Sequence, residues 1–384
     1  MRNLLARRRW DAGVRTQQRA RYSIGRLGAV AILVTLLAWT SSSTAALGAS
    51  GTAGGPIDLA RNTGTLPLNT ADYSVASSGL HPITNCSTPN PGDTNYVWPM
   101  FGAYDPADHD LYVASGGVIG GQGFPAYGFI SIYAPPCQLL ANVHGPDGSD
   151  PYDVAYDPAD RSMYVTDGGL PTIYVLQGTS IVSTFQNPGF CGASALTYDP
   201  ATQAMLITNC DNTVSVFSGE RLVHVFTTGF NLGADPSAIV AGPNNEIFVA
   251  NWGSGNVAIL NASTYHWIGE VGAGEYPNSL VWDPGRQQVL VTHYGGYLVG
   301  IDPVTNTATR IGVHSGQQLD GLAYSPADHL IFTSSEKLLV ITPGDTEHSV
   351  FLNEQADVQG MFYDPSNRDV YVLDFWDTVW VIPT

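Results

Sequence analysis

Apolar and polar positions alternate along this chain with a period of two, in short runs separated by turn residues. Residues 194–209 show the unit. Ala195 and Thr197 before a turn, and Met205 and Ile207 after it, keep to one side of an extended backbone. Strands place side chains on alternate faces in this way. Asp199-Pro200 opens the turn. Proline presets φ, and an aspartate can accept a hydrogen bond from its own backbone two residues on. The predicted unit is strand, turn, strand. It recurs at Tyr104-Asp105-Pro106, Tyr156-Asp157-Pro158, Tyr198-Asp199-Pro200, Ala241-Gly242-Pro243, Trp282-Asp283-Pro284, Tyr324-Ser325-Pro326 and Tyr363-Asp364-Pro365. Successive prolines lie 52, 42, 43, 41, 42 and 39 residues apart. A period near 40 built of short strands predicts an all-β fold, a seven-bladed β-propeller with one four-stranded blade per repeat.

Blade by blade the pattern predicts strands a to d from the axis outward. In blade 3 they fall at 193–198, 204–209, 213–217 and 222–227. In blade 5 they fall at 278–282, 288–293, 297–301 and 308–313. Blade 7 shows strands at 359–363, 369–373 and 378–382, with no room for a fourth before Thr384. An open sheet edge is a liability. The missing strand is expected from the chain before blade 1, at residues 70–80.

Residues 297–312, Tyr-Leu-Val-Gly-Ile-Asp-Pro-Val-Thr-Asn-Thr-Ala-Thr-Arg-Ile-Gly, resemble the repeat unit of YVTN-type propellers. Ile247-Phe-Val-Ala-Asn251 resembles that family's name motif, and Tyr112-Val-Ala-Ser and Tyr164-Val-Thr-Asp echo it. NHL-repeat propellers share the same blade. The resemblance covers residues 98–384 and implies extracellular or periplasmic surface and binding roles. Streptogramin lyases share the architecture, but their catalytic residues find no match in this sequence.

Composition narrows the function classes. The chain has 384 residues and a net charge of −18. The first 27 residues hold eight arginines and one acid, so the rest carries about −25. Lys337 is the sole lysine. Such a body lacks the cationic patch that nucleic-acid phosphates need, and anionic membrane surfaces repel it. Residues 1–26 are arginine-rich, 27–39 apolar apart from Thr35, and 41–50 small. That order predicts an export signal over 1–49, cleaved near 45–49, or else an uncleaved N-terminal membrane anchor. The expected location is secreted or cell-surface. Residues 50–69 read as a flexible linker, and 70–384 as the propeller.

Two faces compete for function. On one, Asp105, Asp157, Asp199, Asp283 and Asp364 could form a ring of ligands, but turn chemistry explains them without any ligand. The opposite mouth gathers the b–c and d–a loops, where aromatic rings and carboxylates converge. Trp252, His293, Tyr294 and Trp376, with Asp167, Glu336 and Asp374 as polar partners, are the candidate ligand-binding residues. Rings suit sugars or apolar ligands, and acids suit cations or hydrogen-bond donors. Asp150, Asp153, Asp235, Glu275, Asp320 and Asp357 add carboxylates from the d–a loops. His293 with Glu336 or Asp374 is the candidate acid–base pair across the mouth. A glycine-rich insertion at 116–127 explains the long first interval and stands on the same face. No cofactor is expected. Ca²⁺ would suit a carboxylate-lined mouth, yet no Asp-x-Asp-x-Asp-Gly run occurs, and no histidine or cysteine spacing supports zinc.

Four cysteines in an exported chain predict disulfides, with three possible connectivities. Cys191 before strand a and Cys210 after strand b of blade 3 should lie one strand spacing apart. Cys86 then pairs with Cys137. Asn85-Cys-Ser and Asn261-Ala-Ser are glycosylation sequons. The functional expectation is an exported, non-catalytic module that binds an extracellular protein, peptide or glycan at the mouth. The alternatives are a lyase or hydrolase at the same mouth, and a structural component of a cell envelope.

Overall fold

The computed structural model describes residues 57–58, 82–83, 98–116, 128–187, 195–227, 234–311, 318–334, 337–352, 357–374 and 378–384. All regular structure among them is β, and it belongs to one compact unit, Gly55–Thr384. Two short strands come first, β1 (Ile57–Asp58) and β2 (Pro82–Ile83). Blade 1 is β3 (Trp98–Asp105), β4 (Asp110–Gly116), β5 (Phe129–Ala134) and β6 (Gln138–His144). Blade 2 is β7 (Pro151–Asp157), β8 (Ser162–Asp167), β9 (Thr172–Gln177) and β10 (Ser180–Gln186). Blade 3 is β11 (Leu196–Asp199), β12 (Ala204–Thr208), β13 (Thr213–Ser218) and β14 (Arg221–Thr227). Blade 4 is β15 (Pro236–Ala241), β16 (Glu246–Asn251), β17 (Asn256–Asn261) and β18 (Trp267–Gly272). Blade 5 is β19 (Pro277–Asp283), β20 (Gln288–His293), β21 (Leu298–Asp302) and β22 (Thr307–Ile311). Blade 6 is β23 (Leu322–Ser325), β24 (Leu330–Ser334), β25 (Leu338–Ile341) and β26 (Glu347–Phe351). Blade 7 is β27 (Val358–Asp364), β28 (Asp369–Asp374) and β29 (Thr378–Pro383).

Each blade is an antiparallel meander, and the first strands adjoin in cyclic order from β3 to β27 and back to β3. Blade 7 is completed by β2, antiparallel to β29 with Pro82 opposite Trp380. The expected N-terminal closure is therefore present, but at 82–83 rather than 70–80, a segment outside the described residues. Proline suits this place because an edge strand needs no donor on its outer side. Within the expected linker, β1 adds a further strand to blade 6, parallel to β26.

The period-two pattern has a different consequence from a half-buried sheet. The inner strand β12 is buried at every position. Met205 and Ile207 pack toward blade 2, while Ala204 and Leu206 pack toward blade 4. Alternation thus sorts side chains between two seams rather than between core and solvent. Among the described residues there are seven such clusters, one at each seam. Outer strands such as β10 alternate between exposed and half-buried, because only one of their faces meets a neighbour.

Candidate functional site at the propeller mouth

On the Asp-Pro face the five aspartates are spent on their own turns. Oδ1 of Asp105 accepts a hydrogen bond from the Ala107 N–H at 2.7 Å. The same bond joins Asp157 to Ala159 at 2.8 Å, Asp199 to Ala201 at 3.0 Å, Asp283 to Gly285 at 2.8 Å and Asp364 to Ser366 at 2.8 Å. All five are buried. Four residues on, His109, Arg161, Gln203, Gln287 and Arg368 hold positive φ, which brings the chain into the next strand. Backbone bonding thus takes up one oxygen of each carboxylate; of the second oxygens, Asp283 Oδ2 pairs with Arg286 at 2.9 Å and Asp364 Oδ2 is buried with no hydrogen-bond partner among the described residues.

The opposite face is built on a ring of buried polar residues within one residue of the end of each second strand. Blade by blade they are Ser115, Asp167, Asn209, Asn251, His293, Ser334 and Asp374. They tie the mouth loops together. Asp167 Oδ1 accepts from the N–H groups of Asp150, Gly169 and Leu170, and its Oδ2 accepts from the Tyr174 hydroxyl. Asp374 accepts from the Asp357 N–H at 2.9 Å and the Trp380 indole N–H at 3.4 Å. Both carboxylates, offered by the sequence as ligand partners, thus hold loops in place.

His293 is fully buried. Its Nδ1 lies 3.4 Å from the Glu275 carbonyl oxygen, and its ring stacks on Tyr297 at 4.6 Å and 13°. Arg310 covers the Tyr297 ring at 4.5 Å. Burial, with the Arg310 charge adding to it, pushes His293 down to about 4. The imidazole is therefore neutral at ordinary pH. Asp374 belongs to another blade, and no hydrogen bond joins it to His293 among the described residues. Glu336, Trp376, Cys86, Cys191, the Asn85 sequon and residues 117–127 lie outside those residues. Cys137 and Cys210 are each disulfide-bonded. Among the described residues no group of three or more His, Cys, Asp or Glu side chains is placed to share a metal ion.

Register shifts mark the mouth end of the first strand in five blades, between Pro99 and Phe101, Pro151 and Val154, Pro236 and Ala238, Pro277 and Leu280, and Val358 and Gly360. A bulge re-aims the side chains it carries. Here it turns them across the seams. Ser237 Oγ donates to the Pro277 carbonyl at 2.8 Å, and Ser279 Oγ donates to the Asp320 carbonyl at 2.8 Å. Asp153 is the acidic member of this set. Its Oδ1 accepts from the Val154 N–H at 2.8 Å, and its Oδ2 accepts from the Leu196 N–H of blade 3 at 3.0 Å. Burial pushes its carboxyl up to about 7, against those two bonds. Beside it in the bulge, Tyr152 packs on Phe101 with centroids 5.3 Å apart.

Trp252 and Tyr294 immediately follow ring members Asn251 and His293, and the structure brings them together. Their centroids are 5.1 Å apart at 74°. A third ring, Tyr276 from the loop between them, lies 5.2 Å from Trp252 and 6.3 Å from Tyr294. Sequence reasoning passed over Tyr276 and weighed only its neighbour Glu275. Its signal is its position just before Pro277, matching Asp235 before Pro236. Backbone bonds from Trp252 N–H to Asp235 O and from Tyr294 N–H to Tyr276 O fix the three loops.

No protein-family model and no curated protein matches the sequence. Solved structures do. Virginiamycin B lyase from Staphylococcus aureus, as the selenomethionine-substituted protein, aligns with a TM-score of 0.63 at 12% identity, over 75% of this chain and 95% of its own. A catalytically inactive histidine-to-alanine variant of that enzyme, with quinupristin, aligns with a TM-score of 0.65 at 12% identity, over 79% and 98%. A streptogramin B lyase aligns with a TM-score of 0.62 at 11% identity, over 76% and 94%. The fold is that of these propellers.

These neighbours are catalysts. They overturn the expectation of a non-catalytic binding module, which rested on composition and on the repeat resemblance. Of the YVTN and NHL resemblance, the seven-bladed propeller is what the structure and its neighbours share; no family model singles out either repeat family.

Proposed function

We propose that this propeller is a lyase whose reaction takes place at the mouth, with Asp153 moving the proton. The observation that carries this is the Asp153 carboxyl at the mouth end of the first strand of blade 2, pushed by burial to about 7. A general base works best with its pKa near the working pH. In the elimination, the ionised carboxylate takes a proton from a carbon next to a carbonyl. The C–H electron pair becomes a carbon–carbon double bond, and the bond to a leaving oxygen on the adjacent carbon breaks. The proton then passes to that oxygen, so no water is consumed. The Val154 and Leu196 N–H groups hold the carboxylate in place. The likeness to virginiamycin B lyase supports the reaction class. The repeat unit is, on this reading, of the YVTN type on a lyase-like ring.

Virginiamycin B and quinupristin are the first compounds to test, with mass spectrometry as the readout. Elimination yields a product of unchanged total mass, whereas hydrolysis adds one water. Asp153→Asn should abolish turnover while remaining folded at the assay temperature and pH, as circular dichroism would show. Turnover undiminished in that variant, or a water-bearing product, would refute the proposal, as would no turnover of either compound by the parent.

A further inference from the structure

The three-ring cluster at the mouth is built for a particular ligand chemistry. We propose that Trp252, Tyr276 and Tyr294 form an aromatic cage for an organic cation, a quaternary or tertiary ammonium group. Tyr294 stands nearly perpendicular to both partners, at 74° and 82°, while Trp252 and Tyr276 are inclined by 37°. With centroids 5.1, 5.2 and 6.3 Å apart, one atom over the open side of the triangle can lie within about 6 Å of all three rings. That is the range over which ring quadrupoles attract a cation.

The rings are not merely a lid on the core. Tyr276 is 40% exposed, and Trp252 and Tyr294 are half-buried. Tyr276 also holds φ at 55°, a left-handed conformation that bulky residues rarely adopt. Its counterpart Asp235, before Pro236, holds φ at 49°, so the left-handed turn that presents the Tyr276 ring is fixed by the way the chain enters the blade. The surroundings here are rigid. Gly274, two residues earlier, holds φ at 101°, and a Cβ there would overlap the Tyr297 hydroxyl. The Tyr294 N–H bonds to the Tyr276 carbonyl, and the Ala273 N–H to the Gly255 carbonyl, so the turns after Asn251 and His293 are both tied to this loop. A preformed cage loses little freedom on binding.

Charge selects the cation over a neutral ring. The chain beyond its arginine-rich start carries about −25. Glu275 adjoins Tyr276 in the cage's own loop, and Asp235, whose backbone carbonyl holds the Trp252 N–H, stands in the loop beside it. The same edge of blade 5 already lays a guanidinium on a tyrosine, Arg310 on Tyr297. Given the proposed lyase activity, on which this last step rests, the cation is part of the substrate, held on blades 4 and 5 while Asp153 acts from blade 2.

Calorimetric titration of the full chain tests the cage without any turnover. Choline is the probe, and dimethylbutanol, in which carbon replaces the quaternary nitrogen, is its neutral counterpart. Choline should bind saturably and about tenfold or more tightly than dimethylbutanol. Trp252→Ala and Tyr294→Ala should each weaken choline by about tenfold, and Trp252→Phe should keep most of the affinity. Asp153→Asn should bind choline like the parent. Equal affinity for both probes would make the cluster an ordinary apolar patch and overturn the proposal. So would binding of a methyl glycoside in place of choline, or unchanged binding in Trp252→Ala. Choline binding without turnover leaves the cage and removes the lyase. Turnover without choline binding does the reverse.

Discussion

At the scale of single residues, burial decides which polar groups remain available. Asp167 and Asp374 read as ligand partners from sequence because they stand in mouth loops, yet each is fully buried with loop N–H groups on its oxygens. Asp153 was one d–a loop acid among several in the sequence. Its carboxyl stands out only when the seam around it is seen. Two pH effects of opposite sign follow. The folded protein keeps a proton on Asp153 up to about 7, whereas the ordinary value is 3.8. The folded state then binds more protons, so this group adds stability as pH falls from about 7 toward 3.8. Asp153→Asn should flatten that part of the melting curve against pH. As a base the same carboxylate must be ionised, so kcat/KM should climb with pH through about 7. His293 works the other way. Its folded value near 4 lies below the ordinary 6.5, so its contribution is lost as pH falls between them. His293→Asn, which places there the residue that blades 3 and 4 use, should melt with less loss over that interval.

At the scale of elements, the turns were legible and the bulges were not. An Asp-Pro turn is a local device: its donor lies two residues from its acceptor, so sequence alone contains both partners. Asp199 adds a second bond, accepting from the Thr202 hydroxyl at 2.5 Å. Asp199→Ala should lower stability by about 1–3 kcal/mol in urea unfolding, since two donors of the turn lose a charged acceptor. Choline binding should be unaffected, because the turn lies on the face away from the cage. Strand limits were legible for a similar reason. The expected 288–293 and 213–217 return as Gln288–His293 and Thr213–Ser218. The bulges at the mouth end of the first strands escaped notice. One extra residue changes strand pairing without changing the apolar pattern around it, yet it is what points Asp153, Ser237 and Ser279 across the seams.

At the scale of the whole molecule, the ring is held by seven apolar seams and closed by a strand from the chain's beginning. Deleting residues 56–85 removes β1 and β2 together and bares the edges of β26 and β29. The truncated protein should melt at a markedly lower temperature and associate through those edges, as light scattering would register. A truncated protein that melts like the parent would show that β2 closes nothing of consequence. By itself the sequence determined the blade number, the strand limits, the turn chemistry and the need for an N-terminal strand. All of these rest on contacts between residues close in the chain, or on counting strands. Tertiary structure decided the rest. It placed the closing strand at Pro82–Ile83, joined Tyr276 to Trp252 and Tyr294, and gave His293 and Asp374 separate hydrogen-bond partners. It also drew Asp153 into a seam with Leu196. Each of these depends on loops from different strands or blades meeting at one edge, and the packing of seven sheets around an axis, not the order of residues within one repeat, sets which loops meet.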